Sequence, residues 1–476
     1  MASKVAAPGT GALDAWFQIS ARGSTVVREL RGGLATFFTM AYIVVLNPII
    51  LSLGVDKYGH KLSVPQLAAM TALIAGIMTV IMGLGGNLPL AIAAGLGLNS
   101  VVAFQIAPTM SWPDAMGLVV LEGVGICLLV VTGLRQAIMD AIPLPLKQAI
   151  SVGIGLFIAF IGLVDAGFVA TPKGAATPVA LGATGGGVLT GWPVVVFAFG
   201  LLLTLVLLTK RVRGAILISI ITATILAVVI EAIATIPDSS WGNGVPKLPS
   251  KIAADPSFHL LGKVSVFGGF GHAGVITAIV FIFTLILSDF FDAMGTIVGI
   301  SNEAGLLDDQ GRPPRIGRVL FIDGLAAVAG GIGSCSSNTC FIESASGVGE
   351  GARTGLANLM TGALFFIALF FTPVYAMVPS AAATPALVAV GFLLMTQVRA
   401  IDWDDYTIAI PAFLTIILMP FTYSITDGIG AGFITFVVLR AVTGRAREIK
   451  PLLWIVAAFF VAYFMLSPIE QWLNVK

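Results

Sequence analysis

Long apolar runs separated by short polar connections repeat along almost the whole chain. Lipid offers no partner to backbone N–H and C=O groups, so an apolar run of about 20 residues predicts a helix that crosses a bilayer. The first seven runs cover residues 34–53, 65–84, 88–106, 116–134, 146–164, 193–208 and 215–234. A polar connection follows at 236–263. The series resumes at 273–300, 319–333, 339–348, 355–377, 386–395, 408–422 and 428–439, with one extra run at 452–465. Ahead of them, Leu13 to Ile19 reads as an interfacial piece, with Trp16 and Phe17 suited to the headgroup level. An odd number of crossings on each side of the connection makes the second half enter from the opposite face, the arithmetic of an inverted repeat. The third run of each half is the irregular one. Asn87 to Ser100 reads NLPLAIAAGLGLNS and Gly333 to Gly347 reads GSCSSNTCFIESASG. Both are short, rich in small residues and too polar to face lipid. Matching interrupted segments of this kind point to a transporter's binding site.

Charge sharpens this picture. Only 10% of the 476 residues are charged, against 57% hydrophobic, and the net charge is +1. A soluble domain carries about 25% charged residues, so a soluble enzyme and a disordered chain are poor fits. Without a basic field, no nucleic-acid partner is expected. If the N-terminus lies in the cytoplasm, 18 of the 25 Lys and Arg residues fall in inside connections, every Arg among them. That partition obeys the positive-inside rule and supports the number of spans.

The exceptions to the scarcity of charge are all acidic. Asp289 and Asp292 lie inside the eighth run, Asp323 early in the ninth, Glu343 in the interrupted tenth and Glu122 in the fourth. A carboxylate near the bilayer centre costs roughly 3 kcal/mol, so each marks a pathway or relay unless it has another explanation. Glu122 has one, being expected to snorkel or to sit at a helix N-terminus. Asp323 either braces a neighbouring helix or serves the pathway. Asp289 and Asp292, three apart, share a helical face. Two ionised neighbours there would repel, so at least one is expected to exchange a proton near neutral pH. Asp292 and Glu343 approach the irregular segments from both sides and are the expected ligands. Two carboxylates among small residues suit a neutral or cationic, hydrogen-bond-donating ligand, or protons, and suit an anion badly. Asn99 adds an amide, with a helix N-cap as its alternative role. Phe341 is placed either to stack on a flat ligand or to pack.

Other chemistry finds no support. GLGLNS lacks the strand–turn–helix setting of a dinucleotide loop, and there is no phosphate-loop Lys, no HExxH and no nucleophile–His pair. The three cysteines form no disulfide framework, and no metal site or other cofactor is expected. The chain is not expected to be an enzyme.

The same residues carry a family resemblance. ELRGGLATFFTMAYIVVLNPIIL (Glu29 to Leu51), AAGLGLNS, SDFFDAMGTIVGIS, GRPPRIGRVLFIDGLAAVAGGIGS and TCFIESASGVGEGARTGL resemble the AzgA-like hypoxanthine/adenine/guanine permeases of the nucleobase–cation symporter 2 group. The resemblance runs from about Leu30 to the last apolar run. It implies an all-α polytopic fold of fourteen spans in two inverted sevens, with short strands in the third and tenth. A core domain would hold spans 1–4 and 8–11, and a gate domain spans 5–7 and 12–14. The expected divisions are an N-terminal segment 1–33, a first repeat 34–235, a connection 236–271, a second repeat 272–443 and a C-terminal hydrophobic segment 444–476. The implied activity is import of a purine nucleobase with a proton across the cytoplasmic membrane; related carriers are often homodimers, and the resemblance leaves the oligomeric state of this chain open. Residue by residue, Asp292, Glu343, Asn99, Gly97 and Phe341 resemble ligand positions. Backbone groups at Leu98, Thr339 and Ile342 would complete the base edge. Asp292, Glu343, Asp289 and Asp323 are the candidates for carrying the proton. Sodium coupling, or an anion exchanger or sulfate-type permease of the same architecture, are the alternatives. The third span departs from the pattern in having no aromatic between Ala91 and Val102.

Overall fold

The computed structural model describes residues 11–133, 142–171, 178–182, 187–234, 236–241, 244–308 and 312–473. A short α1 (Ala12–Phe17) leads into α2 (Val26–Met40), capped by the Thr25 hydroxyl, which accepts from the Arg28 N–H. In α1 Leu13 and Trp16 face outward; Phe17 turns inward and packs with Ile19 and Leu356, so it is not a headgroup residue. The first span breaks at Ala41 and Tyr42 and continues as α3 (Ile43–Leu53). One local cause lies just before it: the Thr39 hydroxyl bonds back to the Ala35 and Thr36 carbonyls, which bends a helix.

The first repeat continues with α4 (Val64–Ile81), β1 (Ile92–Ala94), α5 (Leu96–Val101), α6 (Trp112–Val131) and α7 (Leu144–Asp165). A small hairpin, β2 (Val169–Ala170) with β3 (Ala180–Leu181), precedes α8 (Trp192–Thr209) and α9 (Ala215–Ala234). The second comprises α10 (Gly268–His272), α11 (Val275–Glu303), α12 (Ile316–Ile332), β4 (Asn338–Cys340), α13 (Ser344–Gly349) and α14 (Leu356–Ala368). Then follow α15 (Thr372–Ala376), α16 (Ser380–Ala383), α17 (Pro385–Met395), α18 (Tyr406–Thr422) and α19 (Ile425–Val442). The extra run is a helix, α20 (Pro451–Leu473), which packs on α19 through Phe460 and Phe433. Ten helices among the described residues are long and apolar enough to cross a membrane.

Two packing groups emerge. In one, α12 lies against α6, α14 against α4 and α2, and α13 against α2. In the other, α17 and α18 pack on α7, α19 on α18, and α9 on α8. Small residues set the closest approaches, as they do wherever helices meet without a hydrophobic driving force. A Cβ on Gly155 of α7 would meet the Gly391 carbonyl of α17 at 2.6 Å, and one on Gly331 of α12 would meet the Met116 carbonyl of α6 at 2.8 Å.

Polar residues collect at the two ends as the alternation of spans predicts. At one end Arg31 Nε bonds Glu350 at 2.7 Å, Arg213 pairs with the same carboxylate, and Arg22 bonds the Asn87 and Arg353 carbonyls. At the other, Trp112 Nε1 donates to the His60 carbonyl and His272 Nδ1 lies 2.9 Å from Asp114. The Asp56 carboxyl also belongs there. Burial pushes its pKa up, but the His60 and Tyr58 N–H groups and the His60 ring outweigh that and hold it below the usual carboxylate value.

Candidate substrate site

The two irregular segments meet in the middle of the fold. β1 enters from the arginine-rich end and β4 from the opposite end, and they pair antiparallel with Ile92 opposite Cys340 and Ala94 opposite Asn338. Each strand is followed at once by a short helix, so α5 and α13 both begin near the centre and run to opposite ends. All backbone polar groups at that depth need partners. The ladder supplies some, and side chains supply others: Thr79 brackets Ile92 on both its N–H and C=O, and Asn358 donates to the Leu88 and Leu90 carbonyls.

Beside this crossing runs α11. Down its second half, Asp292, Gly295, Gly299 and Asn302 are exposed at intervals of three to four residues. A stripe facing lipid would be apolar. This one is acidic, small and polar, so it reads as the wall of a groove rather than a lipid-facing surface, running towards the arginine-rich end. Glu343, at the start of α13, is half-exposed on the same groove, and Ile342 beside it is 54% exposed. Asp292 and Glu343 are close enough for their charges to interact. The Tyr42 hydroxyl, at the break in the first span, donates to Glu343 Oε1, and the Thr39 hydroxyl donates to the Glu343 carbonyl at 3.3 Å. Gly97, in the first turn of α5, is half-exposed, and the N–H groups of that turn lie outside the helical ladder.

Three sequence expectations change on this geometry. Asn99 lies inside α5, is fully buried, and donates its amide to Asn47 Oδ1 at 2.9 Å; it is neither an N-cap nor a group on the groove. Asn47 passes the network on to Thr71 and the Cys335 carbonyl. Phe341 is 6% exposed within the packed core, its N–H bonded to the Ala91 carbonyl, so Ile342 rather than Phe341 offers an apolar side chain to the groove. The Leu98 and Thr339 side chains are buried, with the Thr339 hydroxyl on Asp323 at 3.3 Å, so only backbone groups of these residues are left to meet a ligand, as expected of them. Glu122 does not snorkel: it is 0% exposed and accepts from the Ser337 hydroxyl at 2.9 Å. Asp323 accepts from the Cys340 N–H at 3.1 Å, and Asp289, one turn before Asp292, is fully buried. Tyr42 was not among the expected residues, because an aromatic within TMAYIVV reads as packing.

The groove is closed at the end away from the arginines. There the Tyr423 ring, from the α18–α19 turn, meets Phe104 at 6.0 Å and Phe157 of α7 at 5.3 Å. The Thr426 hydroxyl bonds Gln105 at 3.2 Å, and a Cβ on Gly97 would meet Ile154 at 3.0 Å.

Comparison with known proteins accords with this architecture. A xanthine/uracil permease model, described as "Permease family", matches residues 28–431. The chain is 36% identical over 460 residues to the adenine permease AdeP of Escherichia coli (strain K12), covering 95% of this chain and 96% of that one. It is also 36% identical over 458 residues to the guanine/hypoxanthine permease PbuG of Bacillus subtilis (strain 168), covering 95% and 99%. Among solved structures, the transmembrane domain of the cyanobacterial bicarbonate transporter BicA superposes with a TM-score of 0.59 at 15% identity, over 85% of this chain and 96% of that one. SLC26A9 superposes with a TM-score of 0.58 at 14% identity, over 88% and 66%. At such identities the structural likeness speaks to the fold alone, the inverted seven-plus-seven repeat. The chain is therefore a multi-pass membrane permease and not an enzyme, and it belongs to the xanthine/uracil permease family, in its AzgA-like nucleobase–cation symporter 2 branch.

Proposed function

We propose that the chain is a proton-coupled symporter that imports purine nucleobases across the cytoplasmic membrane by alternating access. The observation that carries the reading is the pair Asp292 and Glu343, presented together on a groove whose neighbours are small residues and which holds no basic side chain among those described. Adenine, guanine and hypoxanthine carry ring and exocyclic N–H groups, and two carboxyl groups accept from such donors. The named relatives are adenine and guanine/hypoxanthine permeases, which favours this ligand class. Gly97 lets the base edge approach the first turn of α5, and Ile342 covers part of the flat face. Tyr42 holds Glu343 in place.

In this reading the packing group of α2–α6 and α11–α14 is the core domain, and α7–α9 with α17–α19 form the gate. With the arginine-rich end in the cytoplasm, the groove faces inward. Import follows from movement of the core against the gate, which exposes Asp292 and Glu343 to each side in turn. An acidic groove disfavours an anion as cargo, although structural neighbours include anion carriers.

Uptake of radiolabelled adenine and hypoxanthine in a permease-null host tests the assignment. Asp292→Asn and Glu343→Gln each remove a charge-assisted acceptor, a loss of about 1.5–3 kcal/mol. Uptake at low substrate should fall roughly tenfold or more. Unchanged uptake in both variants would sink the site. Replacing sodium with choline should leave uptake intact, whereas collapsing the proton gradient should abolish accumulation.

A further inference from the structure

The groove carboxyls are not the only acids at the crossing of β1 and β4. Glu122 from α6, Asp289 from α11 and Asp323 from α12 meet behind β4, and their exposures are 0%, 0% and 1%. Asp323 interacts electrostatically with both of the others, and Asp289 with Glu122 as well. Among the described residues, the charged groups acting most strongly on the three are themselves acidic. Glu122 and Asp323 are tied to the strand segment, through the Ser337 hydroxyl for Glu122 and the Thr339 hydroxyl and Cys340 N–H for Asp323. Asp289 is different. It is wholly buried against this pair, and the Thr339 hydroxyl that bonds Asp323 also acts on it, yet neither of its oxygens sits in full hydrogen-bond geometry; Oε2 of Glu122 likewise has no partner. Thr284 and Ser288, on the same helix, also leave buried hydroxyls unpartnered.

Three carboxylates cannot be ionised together in such a place, because each buried charge without a counter-ion carries the full desolvation cost. A buried polar atom without a partner also needs explaining. A bound proton answers both. It removes a charge and turns an acceptor into a donor. Among the described residues, no three His, Cys, Asp or Glu side chains are set to hold a metal ion.

We propose that Glu122, Asp289 and Asp323 form a proton-binding site, distinct from the substrate carboxyls, that loads and releases the coupled proton and communicates with the substrate through β4. This rests on the symport reading above. The proton enters from groove water as hydronium and passes by way of Asp292, which interacts with both Asp289 and Asp323. It neutralises one carboxylate oxygen and leaves to water on the other side; no bond to the base forms or breaks. The titratable groups facing the site are Cys127 on α6, Asp292 on α11 and Cys340 on β4, with Glu343 beyond Asp292. β4 is the shared part. Its Cys340 N–H binds Asp323, while the chain just after it supplies Ile342 and Glu343 to the groove.

The test uses the full chain purified into liposomes, with a pH-sensitive dye reporting proton movement. Two readouts separate the roles: counterflow of labelled against unlabelled adenine, which needs binding and turnover alone, and proton uptake on addition of adenine. Asp289→Asn, at the least firmly hydrogen-bonded of the three carboxyls, is the least disruptive variant, with Glu122→Gln and Asp323→Asn beside it. All are compared after confirming a single monodisperse species. Asp289→Asn is expected to keep counterflow within about twofold and to lose at least tenfold of its adenine-driven proton uptake. Asp292→Asn is expected to lose both. Proton uptake in Asp289→Asn at the unaltered chain's level would overturn the site while leaving symport intact. So would parallel loss of counterflow in all three folded variants, since the cluster would then serve substrate binding. If the unaltered chain exchanges adenine without moving protons, the symport reading falls, and this site falls with it.

Discussion

Tyr42 is where a single side chain matters most. Its ring is buried and its hydroxyl ends on Glu343, so the group that faces the ligand is aimed by a residue that does not face it. Tyr42→Phe keeps the packing and removes that donor. Losing a hydrogen bond to a charged acceptor costs about 1.5–3 kcal/mol, so the Michaelis constant for uptake should rise roughly tenfold, with expression unchanged. An unchanged constant would mean that Glu343 is held by something else. At this scale the sequence was legible where a residue broke a strong rule. Acids inside apolar runs were visible at once because the bilayer makes them costly. Residues obeying the rules were not separable: Tyr42 looks like any buried aromatic, and Asn99 looks like a ligand. Which way a polar side chain on a short helix points depends on partners such as Asn47, which lies fifty-two positions earlier and leaves no trace in the local pattern.

Among the elements, the long helices were plain in the sequence, since span length and apolarity are set by bilayer thickness rather than by packing. The strand–helix segments were recognisable only as irregular. Their pairing register depends on β1 meeting β4, which no local pattern encodes. Helix neighbours were equally hidden, although glycines mark where backbones touch. Gly155 on α7 and Gly391 on α17 face each other's carbonyls, and a side chain at either must push the pair apart. Gly155→Val should therefore overpack this contact by about 1–3 kcal/mol. In detergent that corresponds to a melting temperature lower by roughly 1–3 °C, read from tryptophan fluorescence. A variant that melts with the unaltered chain would argue that α7 and α17 do not approach this closely.

At the scale of the whole molecule, the groove has one mouth. The opposite side is shut by Phe104 against Tyr423, a contact between the segment following α5 and the turn between α18 and α19. If the two groups move as bodies, that contact must part in every cycle. Phe104→Cys combined with Tyr423→Cys, bridged by a short reducible bifunctional thiol reagent because a direct disulfide needs closer backbones than two meeting rings provide, should stop uptake and regain it on reduction. Uptake that continues with the bridge formed would show that this seam stays shut throughout transport. At the arginine-rich end, Arg213, between α8 and α9, reaches across to Glu350 beyond α13, so the two groups are also joined there by charge. The ladder between β1 and β4 also sets a timetable. Ile92 pairs with Cys340, about 250 residues later in the chain. At about 5–20 residues per second, ribosomes need roughly 12–50 s to cover that gap. For all of that time the first half sits in the membrane with the edge of β1 unmatched, in a solvent that offers it no partners. The permease is thus most exposed to misassembly and proteolysis during its own synthesis, before its second half has emerged.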